Sequence, residues 1–95
     1  MHVEAVRVEL FLPHVHSLKE KRAVIKPIVE GIRRRYQASV AEVDHQDKWQ
    51  RSAIGVAVVS ASAHHAREVM DAIERFVWSF PEVEVVAVEE ADARA

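Results

Sequence analysis

The feature of this sequence that most restricts its fold is the order in which two kinds of hydrophobic spacing follow one another. Apolar residues recur at every second position in segments typical of strands, and at every third or fourth position in segments typical of helices. Strand-like spacing occurs in residues 3–12, 38–44, 52–60 and 83–88, and helical spacing occurs in residues 18–36 and 62–80. The predicted element order is therefore strand, helix, strand, strand, helix, strand.

Polar residues and prolines mark the ends of the two predicted helices. Ser17 followed by Glu20 is a capping-box pattern, which predicts a helix that begins at the residue after the serine. Ser62 is a second candidate N-cap, and Pro81 ends the segment that follows it. Pro27 lies inside the first helix, opposite its apolar stripe, so we predict a bend there, with two short helices as the alternative.

This element order predicts an α+β domain of βαββαβ, ferredoxin-like architecture. The polar connector of residues 45–51 allows the two middle strands to form an antiparallel hairpin. Right-handed crossovers in the two βαβ halves then place both helices on one face of a four-stranded antiparallel sheet. Ninety-five residues suffice for one such domain, so we assign residues 1–95 to a single domain whose acidic tail, about residues 89–95, is frayed.

The composition is that of an ordinary globular protein, and it limits the kinds of site that the chain can carry. The 49% of hydrophobic and 29% of charged residues predict a packed core. The chain has no cysteine, which excludes disulfides, thiolate metal sites and cysteine nucleophiles and suits a cytoplasmic protein. No apolar run reaches the roughly 18 to 20 residues that span a bilayer, so we expect no membrane partner.

The charges are unevenly distributed, although the formal net charge is only -2. Residues 17–36 contain seven basic and two acidic residues, whereas residues 81–95 contain five acidic residues and one arginine. A basic helix favours contact with RNA phosphates, and the alternative is a solvated helix face that aids solubility or pairs with a neighbour's acidic residues. The candidate nucleic-acid-binding residues are Lys19, Lys21, Arg22, Lys26, Arg33, Arg34 and Arg35, with Trp49 and Arg51 of the connector.

Two tryptophans occupy positions where complete burial is difficult. Trp49 lies among polar residues of the connector, where it could stack on a base or anchor a protein partner. The alternative, which we favour for this residue, is that its ring folds back over the sheet edge as a lid. Trp78 lies beside the apolar face of the second helix, which predicts partial exposure or a dimer contact.

Three carboxylates, Glu42, Asp44 and Asp47, are the candidates for metal binding or acid–base chemistry. Glu42 and Asp44 are two positions apart on a strand and are therefore expected to share one face. Their spacing matches no metal-binding loop, so pairing with Arg7 or Arg51 is the better explanation and we predict no metal site. A P-loop and a Ser-His-Asp pattern are also missing, so we assign no cofactor and no catalytic residue.

The face of the sheet opposite the helices is expected to carry small and apolar residues. If Ile54 and its alternating neighbours face the helices, the other side of the central strand shows small side chains. Such a face is typical of a partner surface, so we predict a homodimer formed by packing sheet faces. The candidate dimer residues are Ala5, Phe11, Ala53, Gly55 and Ala57.

Two segments, SLKEKR at residues 17–22 and VAEVDHQDKWQR at residues 40–51, carry a resemblance to a known family. Over nearly the whole chain the sequence resembles the DUF503, or YlxP-like, family of uncharacterised small bacterial proteins. The resemblance implies a ferredoxin-like fold and, because genes of the family often lie among translation and ribosome-maturation genes, a link to RNA or ribosomes. The matching positions, to which the resemblance assigns no catalytic role, are Ser17, Leu18, Lys19, Glu20, Lys21, Arg22, Lys26, Glu42, Asp44, Gln46, Asp47, Trp49, Gln50 and Arg51.

Three hypotheses of function follow. The leading one is a dimeric, non-enzymatic protein that docks translation-related RNA or ribonucleoprotein through the basic helix and the hairpin around Trp49. The second is a protein-interaction or dimerisation module that uses the open sheet face and binds no nucleic acid. The third is an enzyme that uses Glu42, Asp44 and Asp47.

Overall fold

Four strands and two helices make up the fold. The computed structural model describes residues 1–91, in which the elements are β1 (His2–Phe11), α1 (Leu18–Tyr36), β2 (Ser39–Asp44), β3 (Arg51–Ser60), α2 (Ala63–Trp78) and β4 (Glu84–Glu90). The strands form one antiparallel sheet in the order β2-β3-β1-β4, and both helices pack on one face of it. The predicted α+β fold of βαββαβ, ferredoxin-like architecture is confirmed.

The first helix begins where the capping-box pattern predicts. The Ser17 hydroxyl accepts a hydrogen bond from the backbone N–H of Glu20, and the Glu20 carboxylate accepts one from the N–H of His16. The helix continues without interruption through Pro27 to Tyr36, so the alternative of two short helices is wrong. Because Pro27 lies on the exposed side, water can satisfy the carbonyl that the proline leaves without a donor.

The second half of the chain follows the predicted boundaries to within two residues: α2 ends at Trp78 instead of Phe80, and β4 extends to Glu90. Ser62 caps α2 by accepting a hydrogen bond from the N–H of His65. The prediction of fraying from Glu89 is wrong for Glu89 and Glu90, because both belong to β4 and pair with β1. The remainder of the predicted tail, residues 92–95, lies outside the described residues.

The core lies between the sheet and the two helices. Alternate residues of β1 and β3 face α1 and α2, as the spacing predicts. The largest buried apolar side chains are Leu10 and Leu12 of the first strand and its loop, Ile28 and Ile32 of α1, Ile54 of β3, and Met70 and Ile73 of α2. No helix in residues 1–91 is long and apolar enough to cross a membrane.

Candidate functional site

Two connections lie side by side at one end of the sheet. Phe11, the last residue of β1, pairs with Arg51, the first residue of β3, and β2 ends beside the start of β3. The loop between β1 and α1 therefore meets the hairpin between β2 and β3. We call residues 12–22, which include the first turn of α1, together with residues 45–51 the loop end.

Lys21 ties the first turn of α1 to the hairpin. Its side chain is buried, with a residue exposure of 2%, and its Nζ donates to the carbonyl oxygens of His45 at 2.7 Å, Arg51 at 3.3 Å and Gln46 at 3.5 Å. The same ammonium lies 3.1 Å from the Glu42 carboxylate. Since this charge is neutralised and out of reach of a phosphate, the assignment of Lys21 to nucleic-acid binding is wrong.

Gln50 ties the other side of the hairpin to the loop after β1. Its side-chain amide donates to the carbonyl oxygens of Pro13 at 3.3 Å and Val15 at 3.2 Å. The backbone carbonyl of Gln50 accepts a hydrogen bond from the backbone N–H of Leu12 at 2.8 Å. Gln50 takes part in three hydrogen bonds and Lys21 donates three, and together these bonds hold the backbone of the loop end in one arrangement.

A β-bulge separates two carboxylates that the sequence places on one face. Glu42 pairs with Ile54, but Asp44 pairs with Ala53, because the register shifts between them. Glu42 therefore points to the helix side, where it accepts a hydrogen bond from Ser52 Oγ at 2.6 Å, whereas Asp44 points to the open face. The prediction that Glu42 and Asp44 share a face is wrong.

The set of carboxylates proposed for acid–base chemistry is thus dispersed. Asp47 is exposed in the hairpin, apart from the inward-facing Glu42 and its partner Lys21. Among residues 1–91, no group of three or more histidines and carboxylates is arranged to hold a metal ion.

The open face, which is the side of the sheet away from the helices, carries a charged network next to the loop end. Arg7 donates to the carboxylates of both Glu9 and Asp44, which confirms the predicted pairing of Asp44 with an arginine. His45 Nε2 lies 3.2 Å from Glu9 Oε2, and the guanidinium of Arg51 lies 3.6 Å from the same oxygen. The network therefore fixes the base of the hairpin on this face as Lys21 does on the other.

Charge interactions shift the pKa values in this network. Hydrogen bonds to Asp44, and then to Glu9, raise the pKa of Arg7. The hydrogen bond from Arg7, followed by that from the N–H of His45, lowers the pKa of Asp44. Burial acts to raise the pKa of Glu9, but the attractions of Arg7 and His45 together outweigh it and lower this pKa. Both carboxylates are therefore charged at neutral pH.

Away from the charged network, the part of the open face over β3, β2 and the start of β1 is largely apolar. A shallow depression of about 330 Å³ lies there, and Val43 and Val59 are 48% and 67% exposed. Ala53 does not belong to this surface, because it is completely buried between the ladder partners Glu9 and Asp44 of the charged network. Of the predicted dimer residues, Ala5, Gly55 and Ala57 line the depression, whereas Phe11 lies at the loop end beside Arg51.

A basic groove runs between α1 and the edge strand β2. It has a volume of about 430 Å³ and is lined by Lys21, Arg22, Ile25, Lys26, Val29, Glu30, Arg33, Val40, Ala41 and Glu42. The side chains of Arg22, Lys26 and Arg33 are exposed along it. Arg33 donates to the carbonyl oxygen of Val40 at 3.0 Å, and Lys26 lies 4.0 Å from Glu30. The groove thus combines an apolar floor with three exposed cations.

The other candidate residues lie outside the basic groove. Lys19 is exposed on the first turn of α1, and Arg34 and Arg35 line a second depression that reaches Phe76 of α2. Trp49 is 53% exposed, which leaves about half of the residue accessible to a ligand, and the interpretation of its ring as a lid over the sheet edge stays a prediction. The predicted partial exposure of Trp78 is confirmed at 64%.

Comparison with known proteins identifies the family. The family model described as a protein of unknown function, DUF503, matches residues 3–90. The uncharacterized protein YlxP of Bacillus subtilis (strain 168) is 41% identical over 68 residues, which cover 72% of this chain and 74% of the relative. A de novo designed protein with a ferredoxin fold, solved by solution NMR, is 12% identical to this chain and superimposes with a TM-score of 0.60. The match covers 100% of this chain and 89% of the designed chain. The chain therefore belongs to the DUF503 family, as its two motifs predict.

Proposed function

We propose that the chain binds RNA by holding the phosphate backbone along α1, with the basic groove as the principal contact. The observation that carries this proposal is the alignment of Arg22, Lys26 and Arg33 along one groove. Phosphates bound beside these side chains would release counterions, which is the main source of affinity in such complexes. The apolar floor of the groove strengthens each charge interaction because it excludes water.

The distribution of charge over the rest of the sheet favours the same surface. Glu84, Glu89 and Glu90 belong to β4, which forms the edge of the sheet opposite β2. An approaching polyanion is repelled by that edge and attracted to α1. The exposed pair of Lys26 and Glu30 is too weak to withdraw the lysine from such a contact. A cytoplasmic location, where RNA is abundant, is part of this proposal.

The salt dependence of RNA affinity tests the proposal. The dissociation constant of a labelled RNA of about 20 nucleotides is measured from about 50 to 200 mM KCl. In a plot of the logarithm of this constant against the logarithm of the salt concentration, each lost phosphate contact lowers the slope by about 0.7 to 0.9. Arg22→Ala is expected to lower the slope by one such step, and Arg22→Ala with Lys26→Ala by two. Both side chains are exposed, so the variants are expected to fold.

Arg75→Ala is the matched control, because Arg75 is also an exposed arginine on a helix but does not line the basic groove. It is expected to keep the slope of the native protein. RNA affinity that is absent in the native protein, or that does not change with salt, contradicts the proposal. An equal loss in Arg22→Ala and Arg75→Ala would show that only net charge matters, which also contradicts the assignment to the groove.

We further propose that a second copy of this chain covers the apolar part of the open face. Val3 and Val59 form an exposed cross-strand pair, and Val43 stands at the side of the depression formed around Gly55 and Ala57. A two-fold axis would place the valines of each copy against the small residues of the other, which is a self-complementary arrangement. The charged network at the loop end would remain outside the contact.

Light scattering coupled to size-exclusion chromatography tests the homodimer. At micromolar concentration the native protein is expected to have twice the mass of the chain. Val59→Lys is expected to yield the monomer, because it would bury an unpaired ammonium at the contact. Trp78→Lys, which changes an equally exposed residue on α2, is expected to leave the dimer intact. A native monomer, or a dimer lost only in Trp78→Lys, contradicts the proposed face.

A further inference from the structure

The hairpin at residues 45–50 presents its side chains from a backbone that is already ordered. Lys21 binds its carbonyl oxygens from the helix side, and the His45 ring contacts Glu9 on the open face. Gln50 ties its end to the loop after β1. A partner that binds this hairpin therefore does not have to order it first, so little conformational entropy is lost on binding.

Trp49 is the large side chain that this ordered hairpin exposes. The residue is 53% exposed, and in the sequence it lies between two exposed cations, Lys48 and Arg51, the second of which lies 3.6 Å from Glu9 Oε2. An aromatic ring beside cations is the combination on which proteins stack the bases of single-stranded nucleic acids. A ring placed in this way has no base to contact in a duplex, where the bases are already stacked on one another.

The hairpin is also coupled to the helix that would hold the phosphates. Lys21 contacts the hairpin with its ammonium and lines the basic groove, and its chain neighbour Arg22 is exposed along that groove. One strand could therefore contact both surfaces, with its backbone on α1 and a base at the hairpin. Neighbouring positively charged and aromatic surfaces of this kind form the usual single-strand site.

We infer that the ligand is single-stranded RNA, and that Trp49 stacks on an unpaired base of the strand whose backbone lies along α1. This inference rests on the proposed function, because it assumes that α1 binds phosphates. It adds the class of RNA and the residue that selects it. Lys48 and Arg51 would contact the phosphates that flank the stacked base.

Intrinsic fluorescence tests the stacking directly. The chain has two tryptophans, so Trp78→Phe leaves Trp49 as the single reporter. A single-stranded RNA of about 12 nucleotides is expected to quench its emission, and a duplex of the same composition is expected not to. Trp49→Ala is expected to weaken single-strand binding roughly tenfold with little change in duplex binding, whereas Trp49→Phe is expected to retain most of the affinity.

Trp78→Ala is the matched control, since it removes the other exposed tryptophan, and it is expected to leave both affinities unchanged. Equal affinity for single strand and duplex, or unchanged Trp49 emission at saturating single strand, overturns the inference while salt-dependent binding through α1 still stands. If neither RNA binds at low salt, the proposed function fails and the inference fails with it. Circular dichroism of each variant establishes that a lost affinity does not come from unfolding.

Discussion

Replacing Lys21 by methionine is expected to lower the free energy of unfolding by about 3 kcal/mol, equivalent to a fall in melting temperature of about 15 °C. Methionine keeps an unbranched apolar chain in the same space, so the change removes mainly the ammonium. The carbonyl oxygens of His45, Gln46 and Arg51 then lose a donor, and the Glu42 carboxylate loses its counter-charge. Urea unfolding followed by circular dichroism measures the difference.

Lys19→Met is the matched control, because Lys19 is the same residue type two positions earlier and is exposed. It is expected to change the free energy of unfolding by less than about 0.5 kcal/mol. Adding Glu42→Gln to Lys21→Met is expected to recover part of the loss, since the uncompensated carboxylate disappears while Ser52 keeps an acceptor. If Lys19→Met and Lys21→Met lowered the free energy of unfolding equally, Lys21 would not anchor the hairpin to α1.

The order of the elements could be predicted because its signals are local. The capping serines at 17 and 62 each act on an N–H three residues away, and alternation along one strand is enough to assign its faces. Pro27 stays within a continuous helix for a similar reason, since its position on the exposed side follows from helical spacing. The fold was therefore predictable from neighbours within a few positions.

The sequence also indicated that Lys21 is buried, although the charge of its side chain suggested that it is exposed to solvent. Lys21 precedes Ile25, Ile28 and Ile32 by four, seven and eleven positions, so it shares their face of α1. All three isoleucines are buried. A basic residue in register with an apolar stripe is more consistent with a buried anchor than with a phosphate contact, because its charge requires a partner inside the protein.

The positions of Glu42 and Asp44 could not be predicted, because they depend on a β-bulge. One extra residue reverses the face of every side chain that follows it in the strand. No glycine or proline marks the irregularity in β2, and the shift is visible only in the pairing of Asp44 with Ala53. The contacts of Lys21 with His45 and of Gln50 with Pro13 likewise join residues that are far apart in the chain. The loop end is thus a product of the tertiary structure.

Gly31→Ala is expected to lower the free energy of unfolding by about 1 to 2 kcal/mol, even though alanine is the better helix former by up to about 1 kcal/mol. A Cβ at this position of α1 would lie 2.5 Å from Cζ and 2.9 Å from Cε2 of Phe76. The ring cannot easily retreat, because Tyr36 and Phe80 pack edge-on at 6.0 and 5.1 Å and the Arg35 guanidinium lies 4.9 Å from its centre. Either the ring must leave its edge-on contacts or the two helices must move apart, and both cost packing energy.

Gly55→Ala is the comparison that isolates this packing effect. A Cβ there would lie 2.9 Å from Cγ1 of Val43, but that side chain is about half exposed on an edge strand and can rotate away. The substitution is therefore expected to be close to neutral. In a Phe76→Leu background, Gly31→Ala is expected to become neutral or stabilising, because the ring that opposes the methyl group is gone. If Gly31→Ala stabilised the native protein, the close packing of α1 on Phe76 would not explain why glycine occupies this position.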